Sequence, residues 1–129
     1  MELKLPDRTG DLMVLGLAIA PGESRRMDLG IASLFTDAPA EVPVLVERAM
    51  EPGPTVLITS GIHGDEVNGV EVVRQLISHG ISRPARGTII CIPVVNVLGF
   101  IGKSRYFPDG RDLNRSFPGM ANGSLASRV

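Results

Sequence analysis

The spacing of apolar residues in the middle of the chain predicts a strand followed by a helix. Residues 55–60 (TVLITS) form a compact apolar run rich in β-branched side chains, typical of a buried strand. From residue 66 to 79 the apolar positions recur three and four apart, which predicts one apolar helical face, and Gly80 is a natural helix stop. The face consists of Val67, Val70, Val73, Leu76 and Ile77.

A second apolar run, residues 88–94 (TIICIPV), follows the predicted helix and is typical of a strand buried on both faces. Residues 55–94 are therefore predicted to form a strand, a helix and a second strand in that order, which indicates a right-handed βαβ unit. We predict an α/β fold with a mixed, largely parallel sheet and flanking helices.

The N-terminal part of the chain has a different pattern. Residues 11–20, 26–35 and 42–50 are short runs with partial strand character, separated by turn-forming segments. We expect them to form a small antiparallel unit. The EPGP segment at residues 51–54 is a predicted break between elements, so we predict a small β-rich region over residues 1–52 and an α/β domain over residues 53–129.

The end of the chain shows little periodicity. Residues 96–119 are rich in Gly, Pro, Arg and Asp, and a loop of that length in a compact domain is usually functional. The last nine residues predict a helix start with Asn122 or Ser124 as the cap. Because the chain ends within about two turns of that start, we expect a truncated domain.

Composition narrows the possible functions. The chain has 129 residues, 43% of them hydrophobic, with 13 Lys and Arg against 14 Asp and Glu, so it can form a core but has no basic excess for nucleic acid or anionic lipid. No apolar run approaches the roughly 20 residues of a membrane span, and the N-terminus lacks the pattern of a secretory signal. A single cysteine, Cys91, excludes an internal disulfide and fits a cytoplasmic protein; within its apolar strand it is expected to be buried rather than nucleophilic.

The segment SGIHGDEVNG lies between the first predicted strand and the helix, at the edge where open α/β sheets bind ligands. His63 and Glu66 are three residues apart at the helix entry, so both side chains could contact one zinc ion at about 2.0–2.2 Å. Glu66 is also favoured there by the helix dipole, and His63 could simply bond to backbone. The spacing alone leaves both interpretations open.

The loop after the second strand supplies a set of arginines beside polar groups. Guanidinium forks bind carboxylates through paired hydrogen bonds, and an amide can donate beside them. For Arg111 with Asp109, a local solvated pair is the simpler interpretation. The candidate residues of this loop are Arg105, Arg111, Asp112, Asn114 and Arg115.

Together, HGDE after one strand and RDLNRSFPG after the next resemble the succinylglutamate desuccinylase and aspartoacylase family, which is related to the zinc carboxypeptidases. The resemblance covers about residues 55–129. It implies that His63 and Glu66 bind one Zn²⁺ ion and that Asp112 orients His63.

The same resemblance assigns the substrate groups. Asn114 and Arg115 would hold the substrate carboxylate, and an upstream arginine would polarise the scissile carbonyl. By its position in SRYFPDGRDLNR that arginine is Arg105, with Arg111 as the alternative because the spacing varies. The third zinc ligand, a histidine, and the general base, a glutamate, would come from beyond residue 129; His79 is roughly 20 Å from Glu66 along the helix and is expected to lie at the helix end.

The resemblance implies a zinc-dependent hydrolase that cleaves the amide bond of small N-acyl amino acids. Two alternatives remain open: a metallocarboxypeptidase, and a non-catalytic zinc-binding fragment.

Overall fold

The computed structural model describes residues 3–4, 10–33 and 36–128. Its strands are β1 (Leu3–Lys4), β2 (Leu12–Val14), β3 (Leu17–Ile19), β4 (Ser24–Ser33), β5 (Pro39–Arg48), β6 (Thr55–Thr59) and β7 (Thr88–Ile92). Its α-helices are α1 (Val67–Ser78) and α2 (Val97–Gly102), and two 3-10 helices span Leu113–Arg115 and Ala126–Arg128.

Two sheets are formed by the described strands. A three-stranded antiparallel sheet has the order β1-β2-β3, and its β2–β3 hairpin turns at Leu15 and Gly16, both with positive φ, as a two-residue hairpin turn that follows the strand twist requires. The second sheet has the order β4-β5-β7-β6. In it β4–β5 and β5–β7 are antiparallel, whereas β6–β7 is parallel.

The prediction of a mixed α/β fold with a β-rich N-terminal part is confirmed. Strand β6, helix α1 and strand β7 form the expected βαβ unit, and α1 begins and ends within one residue of the predicted limits. Among the described neighbours in this sheet, β6–β7 is the parallel pair. Strand β5 pairs with β7, in the register Leu45 to Cys91, so the sheet continues across residue 52.

The core lies where the two sheets and the loop after β7 meet. Alternate residues of β5 point inward, and Val42, Val44 and Val46 are each buried, as the period of a half-buried strand requires. Ile90 of β7 is fully buried against them. The predicted burial of Cys91 is confirmed, and this burial raises the pKa of its thiol, which argues against a nucleophilic role.

The predicted burial of β6 is wrong for this chain. Val56 and Leu57 are both more than two-fifths exposed, because β6 is an edge strand whose described sheet neighbour is β7 alone. The apolar face of α1 is also covered only in part: Val73 is buried, but Val67 is exposed.

The loop after β7 is more ordered than its composition indicates. Helix α2 begins after Asn96, whose side chain accepts a hydrogen bond from the N–H of Gly99, and the Leu113–Arg115 turn begins after Asp112. At the chain end a 3-10 helix replaces the predicted helix start, with Ser124 bonding to the N–H of Ser127. The periodicity of these segments is hidden because each has two turns or fewer.

Candidate active site

The first half of the candidate site is the turn between β6 and α1. The ladder with β7 continues past β6, since Ser60 donates to Ile92 and accepts from Val95. Gly61 then adopts a φ of 61°, a conformation that glycine takes without strain. The N–H of Glu66 donates to the carbonyl of His63 at 3.2 Å, so this turn places both side chains on the same side of the helix entry.

The imidazole of His63 lies between two carboxylates. Its Nδ1 is 3.0 Å from Glu66 Oε1, and its Nε2 is 3.0 Å from Asp112 Oδ1. The His63 side chain is 9% exposed and that of Asp112 14%, whereas the Glu66 side chain is 62% exposed. The ring is therefore held from its buried side and faces an accessible carboxylate on the other.

Arg105 connects the two carboxylates. Its Nη1 donates to Glu66 Oε1 at 3.0 Å, and its Nη2 is 3.7 Å from Asp112 Oδ2. The loop after β7 thus reaches back to the turn before α1. Four predicted residues, His63, Glu66, Arg105 and Asp112, form one cluster at the carboxyl ends of the parallel strands.

Asp112 is held by hydrogen bonds within its own turn as well as by the imidazole ring of His63. It is the cap of the 3-10 helix, where its Oδ1 accepts from the N–H of Asn114 at 3.0 Å and its carbonyl accepts from the hydroxyl of Ser116 at 3.1 Å. The hydrogen bond from His63 is the largest influence that lowers the pKa of Asp112, with contributions from the Asn114 N–H and from Arg105; partial desolvation opposes them. An ionised Asp112 can fix the Nε2 proton and leave Nδ1 facing Glu66.

Asn114 and Arg115 follow directly on this 3-10 helix, and both are exposed. The Arg115 side chain is 86% exposed, and its Nε lies 4.0 Å from Asp112 Oδ2. These side chains border the cluster and face solvent, a position suited to binding a small anion. Their role as substrate ligands remains a prediction.

Arg111 belongs to another part of the loop. Its Nε is 3.9 Å from Asp109 Oδ2 and its N–H donates to Asp109 Oδ1, the local pairing expected from the sequence. Asp109 also accepts from the N–H of Ala126 at 3.0 Å and so fastens the chain end to the loop. The sequence did not reveal that second contact, because a bond across 17 residues has no local signal.

The remaining histidine, His79, is the C-terminal cap of α1, as predicted, and its backbone N–H donates to the carbonyl of Gln75 at 3.0 Å. It is exposed and lies at the far end of the helix from His63. His63 is therefore the candidate imidazole ligand on this chain.

The donor set fits one side of a zinc site. Each nitrogen of His63 faces a carboxylate oxygen, and an imidazole nitrogen and a carboxylate oxygen are both donor types that zinc accepts. Two ligands at about 2.1 Å in tetrahedral geometry lie roughly 3.4 Å apart, close to the observed 3.0 Å. Among the described residues no group of three or more His, Cys, Asp or Glu side chains is arranged to hold a metal ion.

In this α/β domain a histidine between two carboxylates lies at the ends of the parallel strands, where such sheets bind their ligands. Residues 52–129, more than half of the chain, match the catalytic domain of the succinylglutamate desuccinylase/aspartoacylase family. The chain belongs to this family.

Individual relatives agree with this assignment. The N-alpha-acetyl-L-2,4-diaminobutyric acid deacetylase of Halomonas elongata is 38% identical over 89 residues, which cover 68% of this chain and 26% of that enzyme. An aspartoacylase family protein of Mesorhizobium loti has a TM-score of 0.70 at 33% identity, covering 84% of this chain and 34% of its own. The ectoine utilization protein of Ruegeria pomeroyi, solved with product, has a TM-score of 0.67 at 30% identity, covering 81% and 33%.

The chain thus spans about a third or less of the length of these relatives. Within the described residues, neither helix has the length and apolar character that crossing a membrane requires.

Proposed function

We propose that the protein is a zinc-dependent deacylase that hydrolyses the amide bond of small N-acyl amino acids. The observation that carries the proposal is the convergence of His63 Nδ1 and Glu66 Oε1 at 3.0 Å, with Asp112 holding the opposite ring nitrogen. Histidine ligands of zinc are commonly oriented by a carboxylate in this way. The assignment to a deacylase family supports it independently.

His63 and Glu66 would hold the zinc ion, and Asp112 would keep the Nε2 proton of His63 in place so that Nδ1 is the donor. When bound, zinc lowers the pKa of a water ligand and polarises an acyl oxygen. Of the two arginines considered for the carbonyl, Arg105 is the better candidate, because it lies within hydrogen-bond distance of Glu66. Its guanidinium would donate to the acyl oxygen as negative charge develops there.

Asn114 and Arg115 would bind the substrate carboxylate at the exposed border of the cluster. Arg115 offers a planar fork of donors, and the neighbouring amide adds another. A carboxylate held there would fix the direction of the acyl group toward Arg105. The third zinc ligand and the general base are expected from outside residues 1–129, so the proposal concerns the whole protein.

The Halomonas elongata relative is named for an N-acetylated diamino acid, which makes N-acetyl amino acids the first substrates to test. The experiment measures zinc content and hydrolysis of N-acetyl-, N-succinyl- and N-acetyl-diamino acids beside short peptides with a free C-terminus. Zinc at one equivalent and release of the acyl group support the proposal. Faster cleavage of the peptides would favour the metallocarboxypeptidase alternative.

The two histidines provide a matched pair of variants. His63→Ala is expected to lose zinc and activity, whereas His79→Ala, at the exposed helix end, is expected to keep both. A His63→Ala protein that retained one equivalent of zinc and full hydrolysis would refute the proposal.

One observation favours a second candidate, a zinc-binding piece without hydrolytic activity: two donors converge among the described residues rather than three. Zinc titration of the 129-residue chain decides this. Weak binding without hydrolysis by this chain, beside an active longer protein, would show that its isolated function is binding alone.

A further inference from the structure

Two buried side chains of the described residues carry a polar atom without a hydrogen-bond partner: Ser82 Oγ and Asn96 Nδ2. Ser82 lies just beyond α1, away from the cluster. Asn96 is fully buried and follows β7, which ends at Ile92; its backbone contact with Gly61 places it beside the turn that carries His63. Burying an unpaired amide group costs free energy, so Asn96 requires a physical reason.

The other polar groups of Asn96 join three segments. Its N–H donates to the carbonyl of Gly61 at 2.9 Å, which fastens it to the turn before His63. Its Oδ1 accepts from the N–H of Gly99 at 2.8 Å, and its carbonyl accepts from the N–H of Phe100 at 2.8 Å. Asn96 therefore fixes the first turn of α2 relative to the end of β6.

The side chain of Asn96 also supports a close backbone contact. A Cβ atom added to Gly99 would lie 2.6 Å from Asn96 Cγ, so the amide packs directly on the Gly99 backbone. A Cβ atom added to Gly64 would overlap the Gly99 carbonyl group. The Asn96 amide, the Gly99 backbone and the Gly64 backbone are thus stacked in contact, and Gly64 follows His63 directly.

We propose that Asn96 is a positioning residue, which sets the direction of the His63 imidazole through Gly99 and Gly64. The proposal rests on the proposed function for its catalytic meaning. Capping alone does not explain Asn96, because serine caps a helix about as well without burying a second polar group. The larger amide is needed because its extra atoms fill the space above Gly99.

The first test follows the imidazole itself in the metal-free protein. The chain has two histidines, so the ring ¹⁵N signals of His63 and His79 can be followed separately by NMR. Asn96→Ala is expected to shift the His63 signals and leave those of His79 unchanged. If Asn96 has only a structural role, Asn96→Ala would lower the stability and leave the signals of both histidines unchanged.

The second test compares variants that separate capping from packing. Asn96→Ser keeps an acceptor for the Gly99 N–H but leaves space above Gly99, whereas Asn96→Asp keeps both the acceptor and the shape. We expect Asn96→Asp to restore the His63 signals and Asn96→Ser to restore only the stability. In the zinc-loaded protein Asn96→Ala and Asn96→Ser are expected to weaken zinc affinity by roughly tenfold or more, and to shift the visible spectrum of the cobalt-substituted form.

A double-mutant cycle tests the proposed path. Gly99→Ala should shift the His63 signals in the parent, where the new methyl group meets Asn96, but much less in an Asn96→Ala background, where space exists. Ser82→Ala is the matched control, since it removes the other buried group without a partner and should leave the His63 signals and zinc affinity unchanged.

The outcomes are separable. Unchanged His63 signals and zinc affinity in Asn96→Ala, with lower stability, would reduce Asn96 to a helix cap and overturn the proposal. If Asn96→Ala does not fold, Asn96→Ser and Gly99→Ala decide by the same measurements. If the parent binds no zinc, the proposed function fails, while the NMR comparison still decides whether Asn96 positions the ring.

Discussion

Asp109 and Asp112 are three residues apart in one loop, and they have different partners. Each has an arginine neighbour, and their side chains are similarly buried, 20% and 14% exposed. Asp112 reaches a ring 49 residues away and a guanidinium of the same loop, whereas Asp109 accepts from the backbone N–H groups of Arg111 and Ala126. The exposed fraction does not distinguish the carboxylate beside His63 from the carboxylate that holds backbone N–H groups. The groups that each carboxylate contacts do distinguish them.

The largest expected difference is in kcat, between variants of Arg105 and Arg111. Arg105→Ala should lower kcat for an N-acetyl amino acid by roughly 10²–10³-fold, the cost of losing a donor to a developing oxyanion. Arg111→Ala removes a solvated pair with Asp109 and should change kcat by no more than about twofold. Steady-state kinetics on both variants checks this. A larger loss in Arg111→Ala would transfer the carbonyl role to Arg111.

The next largest expected difference is in zinc affinity, between variants of Asp112 and Asp109. Asp112→Asn should weaken zinc affinity about 10–100-fold, because the amide orients His63 without the charge that strengthens the ring as a donor. Asp109→Asn, the matched variant of the same loop, should leave zinc affinity nearly unchanged. Competition with a zinc-binding dye measures both. Equal effects would mean that the loop acts as one unit and that the contrast is false.

Asp109→Asn should instead lower the free energy of unfolding. Its two backbone contacts hold the chain end against the loop, and weakening charge-assisted bonds of this kind costs about 1 kcal/mol in the free energy of unfolding. Urea denaturation of the metal-free protein measures this. No change would show that Ala126 finds another acceptor at no cost.

A third carboxylate, Glu71 on the exposed face of α1, gives the smallest effect. Hydrogen bonds from Arg74 and then Gln75 lower its pKa to about 2. Because its pKa is depressed on folding, its small contribution to stability is complete above the unfolded value near 4.3 and is lost as the pH falls toward 2. The difference in stability between the parent and Glu71→Gln should therefore shrink over that range, without any change in zinc affinity at neutral pH.

Much of the fold could be predicted because it depends on local pattern. The 3.6-residue period gave α1 nearly to the residue, and the β-branched run gave β7. The exposure of β6 could not be predicted, because its composition matches that of β7 and the difference is the number of neighbouring strands. Helix α2 was missed because six residues are too few for a period to show.

The candidate site was predictable where spacing constrains geometry. The turn from His63 to Glu66 is local, so its three-residue spacing predicted that the two side chains could face one point. The sequence favoured Arg105 over Arg111 by its position in the motif but left Arg111 open, since both precede DLNR; the path of the loop brings Arg105 to Glu66. The contacts of Asn96 were missed because they join it to Gly61, which is distant in the sequence, and to the backbone of Gly99, and neither contact leaves a composition signal.

The contact between Gly64 and Gly99 limits how such a protein could be redesigned. Any side chain at Gly64 would force the two segments apart, so a combinatorial library directed at new substrates would lose most of its folded members if it varied Gly64.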